Sequence, residues 1–130
     1  MDPVFPQLLR FSHLGLLCLR LVVAGVFFES GRRHAGDPAG RAASIGLSPG
    51  TTRLLGWAEM AAALALALGV VAQVAALVLV LVMLGAIQKK VFVWHIGFWG
   101  EQTYGWHYDL LFLVANLVIL TTGGGRLILI

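Results

Sequence analysis

Polar and charged residues interrupt the apolar stretches of this sequence, among them Arg20, Glu59, Gln88, Lys89, Asp109 and Asn116. In a site poor in water, an arginine anchors anions, and a carboxylate such as Glu59 is a candidate for proton exchange. A charge at the centre of a membrane helix costs about 2.5–3.5 kcal/mol, so each should find a partner. Arg20 with Glu59 is the first pairing expected, and Lys89 with Asp109 the second. Asp109, Phe112 and Asn116 are spaced to share one face of a helix. Two ion pairs would suffice to clip helices together, a purely structural role that explains neither Gln88 nor Asn116. Each surplus amide left unmet costs about 1–3 kcal/mol. A pocket is therefore expected, walled by Phe28, Phe112 and the Trp94–Trp106 loop, with Arg20 at its floor. Apolar walls with few convergent polar groups suit a quinone or a lipid headgroup.

The remaining chemistry-bearing residues are less informative. None of His13, His34, His95 and His107 lies deep in an apolar run, as a haem ligand would, and their spacing matches no metal motif. They read as interfacial polar residues, and no metal site is expected. Cys18 is the single cysteine, so a dithiol relay would need its second sulfur from a partner.

Four apolar runs must position these groups, as spans of about 11–31, 52–70, 73–91 and 106–122. Leu54 to Ile87 is too long for one span: as a single helix it would reach roughly 51 Å, against a hydrocarbon core of about 30 Å. The chain should reverse between Gly69 and Gln73, where a glycine and a polar residue weaken the helix. Arg32 to Thr52, rich in Gly, Pro, Ser and Arg, reads as a loop, with a short helix over Pro38–Ser44 ending before Gly46. Trp94 to Gly105 is an aromatic, glycine-containing loop suited to a membrane interface. Ala58, Ala62 and Ala65 form a stripe on which a neighbouring helix can pack closely. The first run is read as a retained span rather than a cleaved signal. The fold expected is all-α: one domain over 1–130, an integral membrane four-helix bundle with both long loops on one side.

Composition points the same way. Hydrophobic residues make up 59% and charged residues 12%, about half the charge of a soluble domain. With a mean hydropathy of +0.90, so small a body could not enclose its apolar surface in water. The net charge of +3 forms no basic patch with interleaved aromatics, which argues against nucleic acid as a partner. Arg32, Arg33, Arg41, Arg53, Lys89 and Lys90 fall on the loop side, against Arg10 and Arg126 on the side of the termini. The positive-inside rule then places the long loops in the cytoplasm.

Arg20-Leu21 followed by Gly25, Phe28 and Gly31, then Gly56-x-x-Glu59, Ala86, Tyr108-Asp109 and Gly124-Gly125-Arg126 together resemble the DoxX family. The likeness rests on order and spacing across four spans, from about Arg20 to Leu127. Asp109 stands where the family commonly has a glutamate. The resemblance implies a four-helix membrane protein. Among founding members are subunits of a thiosulfate:quinone oxidoreductase; others resemble membrane anchors of thiol and oxidative-stress complexes. On that likeness the chain would be a membrane subunit of such a complex, not catalytic by itself, in a prokaryotic plasma membrane. It would have no intrinsic cofactor, and a quinone is the candidate ligand. The residues expected to contact it are Arg20, Glu59, Gln88, Lys89, Asp109, Asn116, Phe28 and Phe112. Membrane lipids and a soluble oxidoreductase or sulfurtransferase are the expected partners, and a homo-oligomer is compatible with the sequence. The rival readings are a non-enzymatic scaffold for a soluble protein and a small-solute carrier.

Overall fold

A computed structural model describes residues 2–101 and 104–128. Gln102 and Thr103 of the aromatic loop, and the side chain of Arg41 from the charge count, lie outside that description. A 3-10 turn, Pro6–Phe11, leads into helix α1, Ser12–Gly36. Short α2, Pro38–Ile45, is followed by α3, Pro49–Leu68, and by α4, Ala72–Gln88. A π-helical turn, Lys89–Val93, extends α4, and α5 is Trp106–Thr122. No strand occurs among the described residues, so the chain is all-α.

Local chemistry explains where these helices begin and end. Asp37 caps α2 by accepting from the Gly40 amide at 3.3 Å, and Ser48 caps α3 by accepting from the Thr51 amide at 3.2 Å. Pro38 and Pro49 follow these caps, where the missing N–H costs nothing. Gly69, in the left-handed region at φ 81°, stops α3. Val71 continues the reversal with a positive φ of 43°, and α4 starts at the next residue.

Within Arg32–Thr52 the short helix expected over Pro38–Ser44 is observed as Pro38–Ile45, while the helical Arg32–Gly36 at the end of α1 is a correction with a clear cause. Glu29 pairs with Arg32 at 2.7 Å and with Arg33 at 3.1 Å, one helical turn on, and carries α1 past Gly31. Its end waits for Gly36 and the Asp37-Pro38 cap of the next helix.

Helices α1 and α3 pack antiparallel at the closest approach in the molecule. A Cβ on Gly56 would lie 2.6 Å from both the Gly31 carbonyl oxygen and the Ala35 amide nitrogen. The same register brings Arg20 beside Leu66 at the other end. The mid-bundle core is apolar, built on Val23, Phe27, Ala63, Leu66, Ala76, Leu79 and Ile119. Polar groups are buried towards both ends: Arg20 at one, His34, Thr52, Glu59 and Asp109 at the other. The outside is apolar, with Val22, Leu64, Leu77, Leu81, Leu84 and Leu111 all exposed. Two helices are long and apolar enough to cross a bilayer, Pro6–Gly36 and Ala72–Val93, and α5 is a shorter apolar helix.

Candidate functional site: a cavity at the loop end

A cavity of about 600 Å³ lies between the loop-end halves of the long helices. Phe27, Ser30 and His34 reach it from α1, Glu59 from α3, and Val78 to Gln88 supply the α4 wall. Lys89 and Lys90 of the π turn, Trp94, Tyr108 and Asp109 complete it.

Glu59 is the most deeply placed charge on this wall, 2% exposed. Its Oε1 stands 3.7 Å from His34 Nδ1, and its Oε2 has no partner among the described residues. His34 in turn has Ser30 Oγ at 3.4 Å. Asp109 is held differently. Lys90 Nζ sits 2.7 Å from Asp109 Oδ2 as an ion pair without hydrogen-bond alignment, and donates to the Tyr104 carbonyl at 3.0 Å. Lys89 lines the cavity near the α2–α3 link: a Cβ on Gly46 would lie 3.8 Å from its Nζ. No acidic partner for Lys89 occurs among the described residues.

The structure brings together Glu59, Gln88, Lys89 and Asp109, and leaves out the other four expected residues. Arg20 is not the floor of the cavity and does not meet Glu59. Its Nε donates to the Leu66 carbonyl at 2.8 Å, and its Nη1 to the carbonyls of Gly124 at 2.9 Å and Leu127 at 2.6 Å. Two physical facts separate the pair. Leu66 lies about 10 Å of helix rise from Glu59. Side chains also lean towards the N-terminus of their own helix, so in antiparallel α1 and α3 Arg20 and Glu59 lean apart.

Three smaller corrections follow from helix phase. Lys90 rather than Lys89 pairs with Asp109, because the π turn changes the direction in which successive residues face. Phe27, not Phe28, is on the wall: Phe27 shares a stripe with Val23 and Gly31, while Phe28 is 39% exposed. Phe112 packs edge-to-face behind Phe27, ring centroids 5.8 Å apart, and does not line the cavity. Asn116 is fully buried, its Nδ2 donating to the Phe112 carbonyl of its own helix at 2.8 Å. Of the aromatic loop, Trp94 is on the wall, whereas Phe98 meets Trp106 and His107, whose Nδ1 is 2.7 Å from the Phe98 carbonyl oxygen.

Sequence reasoning missed His34, Ser30, Lys90 and Tyr108. His34 is concealed when the helix is ended at Gly31. Asp37-Pro38, a cap followed by a first-turn proline, was the signal that α1 extends to Gly36 and carries His34 inward.

The described residues form an all-helical fold with many exposed apolar side chains, and two of its helices are long and apolar enough to cross a membrane. The DoxX family model matches residues 15–96, from the first turn of α1 through α3 and α4 to just beyond the π turn. The chain belongs to the DoxX family, which is membrane-associated. The match contains His34, Glu59, Lys89 and Lys90, while Tyr108 and Asp109 lie beyond it. No curated protein and no solved structure matches the chain.

Proposed function

We propose that this chain is an integral membrane protein whose four long helices all span the bilayer. In this reading its loop-end cavity binds an amphipathic molecule, a quinone or a lipid headgroup, for a redox or thiol/oxidative-stress complex. The observation that carries the binding role is Glu59 Oε2, a buried and unpartnered carboxylate oxygen on the wall of a 600 Å³ cavity. Leaving such a group unmet costs about 1–3 kcal/mol or more, and an occupant with an N–H or O–H donor removes that cost. Phe27, Val78, Leu81 and Val82 offer an apolar body the rest of the wall.

The exposed leucines and valines support the membrane reading, because no soluble monomer keeps so continuous an apolar exterior. The redox setting rests on likeness to DoxX proteins. Having one cysteine, the chain needs a partner for any dithiol chemistry, and a soluble oxidoreductase or sulfurtransferase would meet that need. Phe92, Trp99 and Tyr104, all strongly exposed at the loop end, favour a second role as a docking scaffold.

Purification in mild detergent, with mass spectrometry of copurified small molecules and proteins, tests both roles. A stoichiometric quinone or lipid, lost in Glu59→Gln, is expected. A preparation free of both, with Glu59→Gln indistinguishable from the parent, would refute the cavity reading. Copurification of a soluble protein alone would favour the scaffold.

A further inference from the structure

The cavity wall carries two unmatched charges of opposite sign. Glu59 Oε2 is buried without a partner, and Lys89 has no acidic partner among the described residues. The other two charges, Lys90 and Asp109, already form an ion pair at 2.7 Å. Apart from His34, the lining holds two carboxylates, Glu59 and Asp109, and two ammonium groups, Lys89 and Lys90. A singly charged occupant would therefore answer only one of the two open charges. A neutral one would meet neither open charge with a full counter-charge.

The two open charges also differ in position. Glu59 lies ten residues into α3 from Pro49 and its side chain leans back towards the loop end, where Lys89 Nζ lies near Gly46. The wall between α3 and α4 includes Leu55 and Leu81, and Leu81 is 60% exposed. The apolar wall thus continues from the cavity to the outer face of the bundle, where acyl chains lie if lipid surrounds it.

Resting on the cavity reading above, we propose that the occupant is a zwitterionic aminophospholipid. Its primary ammonium donates to Glu59 Oε2, its phosphate lies against Lys89 Nζ, and its chains leave past Leu55 and Leu81. An ammonium brings three donors to a carboxylate that has one oxygen free, which a quaternary amine cannot do. The phosphate places an anion one short linker away from that ammonium, on the side of Lys89.

The test uses the full chain in mild detergent, titrated by native mass spectrometry with lipids of matched chains. Phosphatidylethanolamine is expected to bind about tenfold or more tightly than phosphatidylcholine, which lacks N–H donors, or phosphatidylglycerol, which lacks the ammonium. Glu59→Gln should erase that preference, and Lys89→Gln should weaken phosphatidylethanolamine without improving phosphatidylcholine. Leu81→Trp, which touches neither charge, should obstruct the chains and weaken all three lipids together. Should Glu59→Gln fail to fold, the headgroup series on the parent protein and Leu81→Trp still decide. Equal binding of the three headgroups would overturn the proposal. Water-soluble phosphoethanolamine binding as tightly as the lipid would overturn the lipid source. A stoichiometric quinone that phosphatidylethanolamine does not displace would overturn the headgroup assignment while leaving the cavity reading intact. No retention of any amphipath would remove both.

Discussion

His34 Nδ1 and Glu59 Oε1 stand 3.7 Å apart across the α1–α3 interface, and both side chains are almost completely buried. The contact depends on α1 running five residues beyond Gly31, since only there does a histidine come round to the face that meets α3. His34→Ala removes the imidazole 3.7 Å from this carboxylate and should cost about 1–3 kcal/mol. Glu59→Gln should cost less, and the double variant should fall short of the sum by about 0.5–3 kcal/mol. Thermal unfolding in detergent reads all four corners of the cycle. Simple additivity would mean that the two residues are neighbours without being coupled.

Arg20 makes the opposite prediction. It holds the carbonyls of Leu66, Gly124 and Leu127, tying the end of α3 to the segment after α5. Arg20→Met should release the Gly123–Ile128 stretch, seen as faster amide exchange there, with little change at the cavity. Combined with Glu59→Gln it should be additive within about 0.5 kcal/mol, because the two sites share no partner. Coupling above that level would place them in one network after all.

Lys89 and Lys90 are adjacent in sequence but carry different structural weight. Lys90→Met leaves Asp109, 4% exposed, without its cation, and should destabilise by about 3 kcal/mol or more. Lys89→Met breaks no ion pair among the described residues and should leave the stability within about 0.5 kcal/mol of the parent. The same unfolding assay distinguishes them, and equal losses would contradict the pairing.

Two glycines test the packing. Gly56→Ala drives a methyl group onto the Gly31 carbonyl and the Ala35 amide, and should cost about 1–3 kcal/mol by forcing α1 and α3 apart. Gly85→Ala, in α4, meets nothing within 4 Å and should gain about 0.5–1 kcal/mol from helix propensity. If Gly56→Ala is also neutral, the helices are not in contact at that level.

If the chain spans the bilayer as proposed, the positive-inside rule applied to Arg32, Arg33, Arg41, Arg53, Lys89 and Lys90 predicts cytoplasmic long loops. A reporter fused after Ile130 should be accessible to a membrane-impermeant label from outside the cell. Labelling only after the membrane is opened would reverse the topology.

Several features of this protein were legible in its residues alone. Apolar runs and a glycine reversal at Gly69 are local signals, each acting within a few residues; the capping pairs Asp37-Pro38 and Ser48-Pro49 are equally local, but the sequence reading passes over them. The family was legible too, because its pattern is one of order and spacing along the chain. Which charges meet was not. The expected pairing of Arg20 with Glu59 fails because α1 runs about a turn and a half past Gly31 and because the two side chains lean in opposite directions along antiparallel helices. Likewise Phe28 for Phe27 and Lys89 for Lys90 are errors of one residue, which is 100° of helix phase or the extra residue of a π turn. Tertiary structure decided these matters, since the Gly31–Gly56 contact sets the register of α1 against α3. That register draws His34 to Glu59, and leaves Arg20 to the carbonyls at the other end. A helix declares its own length and faces in its sequence; the face it turns to a neighbour depends on close contacts between residues far apart in the chain.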